Sequence, residues 1–326
     1  MMSKLRVGLG IVIMCVLVIM CVGCSKNSKE KNEGNRVNNK VSEERKNGVG
    51  NESEEDTSKS NIDVVDDTKA EDVSKSLINP TGMTLETRIN VPDGFTRVEA
   101  LSGSFAAFVR GYEMKPDKSK VLLYDGNPKG NQEAHVAVFK LPIEKYDLQQ
   151  CADSVMRMYA EYYWHSKQYN KIGFHFVSGF NAIYSKWIQG YNISVSGNSV
   201  LWVRDSRCDA SYESFKKYFR MVFNYASTLS MDKESKPINI KDIQVGDLFI
   251  IGGSPGHVVM VVDVAVNAQG KKAFLLAQGY MPAQEFHVLK NPVSETDMWY
   301  YEENFTYPLD TPEYGFDQGT LKRPNY

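Results

Sequence analysis

Cys151 and His257 are the residue types from which a thiol-based acyl transfer is built. Asp147-Leu148-Gln149-Gln150 has a capping-box form, with Asp at the cap and Gln three later, and predicts a helix running to about His165. Cys151 falls in its first turn, where the helix dipole favours a thiolate. His257 follows the turn-forming run Gly252-Gly253-Ser254-Pro255-Gly256 and opens the apolar run HVVMVVDV, His257 to Val264. An imidazole at such a strand mouth is held rigidly and can still face a cleft. Gln278 ends the next predicted strand and neighbours His257 across a simple hairpin, so it is the expected orienting group. Asp263 competes for that role but lies six residues along the strand, about 20 Å away. Tyr280 and Gln284, with Glu285, are the expected substrate-contacting residues near His257.

The same residues also fit structural patterns. Cys151, Val155, Met158 and Tyr162 recur at helical spacing, as an inert core thiol would. His257 fits a satisfied histidine at a strand end. Trp187, Trp202 and Trp299 suit either stacking on sugars or filling a core. His165 and His175 lie among aromatics with no carboxylate at ligand spacing, so neither a metal nor a cofactor is expected. Cys208 follows the polar run Arg204 to Arg207 and reads as a loop residue. A Cys151–Cys208 disulfide is compatible with an extracytoplasmic setting and would remove the nucleophile.

The elements that must position these groups occupy only the last part of 326 residues. Lys4 and Arg6 precede an uncharged run of 17 residues, Val7 to Gly23, which is short for a spanning helix and suits a secretory leader over 1–23. An uncleaved anchor is the competing reading. Residues 24–79 have no aromatic residue, no Leu before Leu77 and many charged and amide side chains. Such a stretch cannot bury enough apolar surface to offset its ordering entropy, and it reads as a disordered tether spanning roughly 40 Å. Residues 80–326 carry the aromatics and read as a single domain.

Within that domain Thr84 to Val91 alternates like a strand, and Ser104 to Met114 has helical spacing. Val121 to Tyr124 and Ala134 to Phe139 read as strands. Tyr212 to Leu229 predicts a second long helix. Asp153, Arg157 and Glu161, spaced by four, are expected to form a charged ladder on another face of the first one. Strands follow at Asp247–Ile251, His257–Val264, Ala273–Gln278 and Glu285–Leu289. Helices first and an antiparallel sheet afterwards give an α+β fold. The formal net charge of −2 offers no electrostatic footprint for nucleic acid.

Three segments carry resemblances. Val22-Gly23-Cys24-Ser25 resembles the bacterial lipobox, with Cys21 where Leu is usual; it implies lipidation of Cys24 and attachment to the outer face of the cell membrane. The Gly246-Asp247 and Gly256–Val262 pattern resembles the histidine motif of papain-like NlpC and CHAP cell-wall amidases and endopeptidases. That resemblance implies helices packed on an antiparallel sheet and a peptidoglycan peptide as substrate. Here Cys151 is followed by Ala-Asp-Ser rather than the usual Ser-Gly, and the Cys-to-His gap of 106 residues is long. The body as a whole is similar to an uncharacterised bacterial lipoprotein family, domain of unknown function 4846. That similarity rests on Leu148–Asp153, Gly252–His257 and Ala277–Glu285 and implies no activity. Two functions are thus expected: a tethered thiol hydrolase using Cys151, His257 and Gln278, or a non-catalytic lipoprotein that binds a ligand or partner.

Overall fold

The apolar run that opens at His257 forms an eleven-residue strand, His257–Asn267. It is unbroken because both of its faces are covered. Val258, Met260 and Val262 enter one core, while Val259 and Val261 enter a second core on the opposite face. Full burial of each such valine contributes about 1.5–3 kcal/mol. The computed structural model describes residues 76–326; the expected leader, Cys24 and residues 24–75 of the expected tether lie outside them. Pairing begins at Leu77 and Ile78, ahead of the expected start at Pro80: Asn90 donates to the Leu77 carbonyl, and Ile78 bridges to Ile89.

The sheet has nine strands and every pairing in it is antiparallel. Its path runs His135–Val138, His287–Leu289, Lys272–Gln278, His257–Asn267, Leu248–Ile251, Leu321–Pro324 and Ser235–Pro237. Phe95–Arg97 pairs with the far end of the His257 strand, and Tyr300–Tyr301 with the start of the Lys272 strand. Opposite Leu275 and Leu276 the His257 strand bulges, so that Val264 turns to the second core and Ala265 to the first. The α-helices contribute to the first core only; the second is closed by a separate two-stranded ribbon, Leu309–Asp310 paired with Gly315–Phe316. The fold is therefore α+β, with helices on one face of an antiparallel sheet.

Several local expectations change. Thr84 caps a four-residue helix, Leu85–Arg88, instead of entering a strand. Residues 121–124 form no strand; Leu122 and Leu123 only bridge to Pro128 and Gln284. The long helix is Cys151–His165 with Gln150 as its cap, so Cys151 is its first residue. Asp147 does not cap it; its carboxylate accepts from Gln150 Nε2 at 3.1 Å and from the Ala283 amide at 2.7 Å, tying the helix start to the loop after the Lys272 strand. The expected ladder points inward. Arg157 and Glu161 are buried together at 2.6 Å, share the Tyr212 hydroxyl, and Arg157 lies over the Phe219 ring. The second long helix ends at Tyr225, and a short one, Thr228–Lys233, follows Ser227, whose hydroxyl caps it.

Candidate functional site

Two glycines bring the Cys151 helix and the His257 strand to one place. A Cβ on Gly279 would lie 2.5 Å from Ser154 Oγ and 2.9 Å from the Gln150 carbonyl oxygen, so only glycine lets the chain leaving Gln278 pass against the first helical turn. A Cβ on Gly256 would lie 2.4 Å from the Gly253 carbonyl and 2.5 Å from Thr228 Oγ1, which makes the turn before His257 equally intolerant. The result is a cleft of about 230 Å³, lined by Cys151, Asp153, Thr228, Ser254, Pro255 and Met281 among others.

Cys151 is only 6% exposed. Burial pushes its thiol up to about 11, and the Asp153 carboxyl adds to that. The backbone amides of Ala152 and Val258, and its own, pull the other way. Desolvation thus overrides the helix dipole, and the thiolate expected at a helix start rests as a thiol. Val258 is the residue after His257, so the sulfur lies at the mouth of the His257 strand. Val258 faces the first core with Cys151, whereas His257 turns toward the second face beside Tyr314 and Phe316. Thiol and imidazole flank the same strand end.

Gln278 does neighbour His257: the His257 Nε2 lies 2.7 Å from Gln278 Oε1. The His257 Nδ1 makes no hydrogen bond among the described residues. Burial drives this imidazole down to about 4, against the Gln278 bond, which raises it. Tyr280 packs edge-on against the ring at 4.6 Å, and its hydroxyl feels both Glu313 and Cys151. Gln284 is not brought to the cleft. It is 2% exposed and its amide bonds the Pro282 carbonyl at 3.0 Å. Glu285 is held by Lys115 at 2.6 Å.

Sequence reasoning misses a polar cluster behind Gln278. Gln278 Nε2 donates to Glu313 Oε2 at 2.7 Å and lies 3.4 Å from His287 Nε2. Lys129 pairs with the same Glu313 oxygen and lies 3.4 Å from His287 Nε2. His287 was detectable, because the hairpin register sets it directly opposite Gln278. Nothing in the spacing marks Lys129 or Glu313, which arrive from distant loops.

The remaining candidates stand elsewhere. Asp263 is bound by Arg97 and Arg110. Trp187 and Trp299 are core residues whose indoles bond Ser214 Oγ and the Asn90 carbonyl, and Trp202 packs near Lys186. His165 lies near Glu161 at the helix end, and His175 pairs with Glu234. No group of three or more metal-ligating side chains occurs among the described residues. Cys151 and Cys208 are both free and buried.

Compared with known proteins, residues 85–323 match the family model described as domain of unknown function 4846. No curated protein matches, and no solved structure matches.

Proposed function

The chain belongs to that family of unknown function, and because membership brings no activity with it, we propose from the site that it is a papain-like thiol hydrolase of cell-envelope amides. One observation supports the reading: Gln278 occupies the Nε2 of His257 at 2.7 Å, which leaves Nδ1 without a hydrogen-bond partner among the described residues, while the Val258 amide next in the chain donates to the Cys151 sulfur. Cys151 attacks the amide carbonyl carbon as His257 Nδ1 takes the thiol proton. The same proton passes to the leaving amine, and a thioester forms on the sulfur. Water then attacks the thioester with His257 as base, releasing the acid and restoring the thiol. The amides of Cys151 and Ala152 at the helix start, which point at the sulfur, are the donors this reading assigns to the developing oxyanion. Of the unpaired buried atoms near the helix start, Asp153 Oδ1 belongs to a residue that lines the cleft. An incoming peptide gains most by bonding where buried polar groups lack partners.

Peptidoglycan peptide is the substrate this reading assigns. The body is held at the outer face of the cell membrane by a lipid on Cys24 and reaches the wall on the 24–79 tether. Incubating the full chain with purified sacculi tests the activity. The wild type releases amine-bearing peptides detectable by mass spectrometry, Cys151→Ala releases none, and His257→Gln is slower by about 100-fold or more. Equal release by wild type and Cys151→Ala overturns the reading. Detergent-phase partitioning tests the anchor, which Cys24→Ala abolishes.

A second reading, a ligand-binding lipoprotein without catalysis, is favoured by the thiol raised to about 11. It gains if sacculi bind to the chain and no peptide is released.

A further inference from the structure

The orientation of the Gln278 amide decides which His257 nitrogen carries the proton, and the partners of that amide decide its orientation. A carboxylate only accepts hydrogen bonds. The Gln278 atom 2.7 Å from Glu313 Oε2 is therefore the NH2, since a carbonyl oxygen there would be repelled. His287 adds an independent constraint. Its Nδ1 lies 2.8 Å from the Glu285 carbonyl oxygen and must donate to it. Its Nε2 is then the lone-pair nitrogen, able to accept from Lys129 and from the same Gln278 NH2, each at 3.4 Å. With the NH2 committed to Glu313 and His287, the Gln278 carbonyl oxygen faces His257 Nε2 at 2.7 Å. That nitrogen must carry the hydrogen, so Nδ1 holds the lone pair.

Gln278 and His287 are fully buried and Lys129 nearly so, which leaves water little access to substitute for a lost partner. Glu313 is the strongest acceptor in the cluster, and it is itself held by the Lys129 ammonium. We propose that Glu313, anchored by Lys129, is a positioning residue that locks His257 in the Nε2–H form through the Gln278 amide. Its consequence for catalysis rests on the thiol-hydrolase reading above; the tautomer itself does not.

The test is made on the resting full chain with no substrate, using nitrogen-15 histidine and long-range proton–nitrogen correlation, with His257→Gln to assign the ring. The wild type shows one neutral His257 form, with the proton on Nε2. Glu313→Gln keeps the shape but adds a donor, which lets the Gln278 amide reverse, so the Nδ1–H form becomes populated. Glu313→Ala does the same by deleting the acceptor, and it serves should the first variant fold poorly. Iodoacetamide trapping of Cys151 at neutral pH falls by roughly tenfold in either variant, as expected for a lost general base. An Nδ1–H wild type, or an unchanged Nε2–H ring in both folded variants, overturns the proposal. A tautomer that shifts while Cys151 trapping stays independent of His257 retains the positioning role and removes the hydrolase.

Discussion

Asp263 receives the Arg110 Nε at 2.6 Å from 153 residues away, inside a sheet where its carboxylate is fully buried. Arg97 closes the other oxygen at 2.7 Å. Asp263 therefore joins the Ser104-capped helix, Phe105–Arg110, to the central strand, while the His257 ring is bound by Gln278 instead. Asp263→Ala leaves the Arg110 guanidinium buried without its partner, and stability falls by about 3–5 kcal/mol. Urea unfolding followed by fluorescence measures it. A loss below about 1 kcal/mol means the pair is incidental.

His257 makes stability depend on pH. Its folded value is lowered from the ordinary 6.5 to about 4 because burial penalises the charged ring. The unfolded chain therefore takes up this proton first as the pH falls. The contribution is complete above about 6.5 and is lost progressively toward 4, amounting to about 3 kcal/mol over that window. His135 and His287 are lowered as well and act in the same direction. Unfolding curves collected between pH 7 and 4 give the slope, and His257→Gln flattens it. An unchanged slope in that variant contradicts the buried neutral imidazole.

Gly279→Ala forces the Gln278 strand away from the first turn of the Cys151 helix, since the new methyl would sit 2.5 Å from Ser154 Oγ. The expected cost is about 1–3 kcal/mol. Trapping of Cys151 changes with it, because the cleft wall moves. A thermal melt and a trapping rate equal to wild type would show that the approach is looser than drawn.

Alkylation of Cys151 rises with pH without levelling off below about 11, because burial holds the thiol protonated. At pH 7 the residual rate depends on His257 taking the proton, so His257→Gln abolishes it while leaving the alkaline limb intact. Mass spectrometry of tryptic peptides separates Cys151 from Cys208. A plateau near pH 7 would instead identify a resting thiolate.

The long apolar strand and the hairpin to Gln278 were legible because each follows from nearest-neighbour chemistry: an apolar run and turn residues. The nearness of Gln278 to His257 followed from that hairpin; which ring nitrogen it meets did not. Thr84 misled because a capping threonine and a strand threonine are the same letter until the next turn is built. Arg157 and Glu161 misled because charged residues spaced by four suit a solvated face equally well; only Tyr212 and Phe219, from another helix, make burial tolerable. Gln284 was placed by proximity in sequence to Tyr280, yet its main chain bridges to Leu123 and its side chain folds back on Pro282. Glu313 was beyond reach, since its loop approaches Gln278 only when a chain segment 35 residues downstream closes over the second face.

The strand Leu321–Pro324 lies between Leu248–Ile251 and Ser235–Pro237, two strands that precede it by some seventy to ninety positions. During vectorial synthesis or export, those two strands emerge well before the segment that joins them, and the Glu313 loop emerges only shortly before it. The sheet therefore cannot be continuous until the last strand is in place, and the Glu313 side chain that holds the Gln278 amide reaches it only with that same C-terminal stretch.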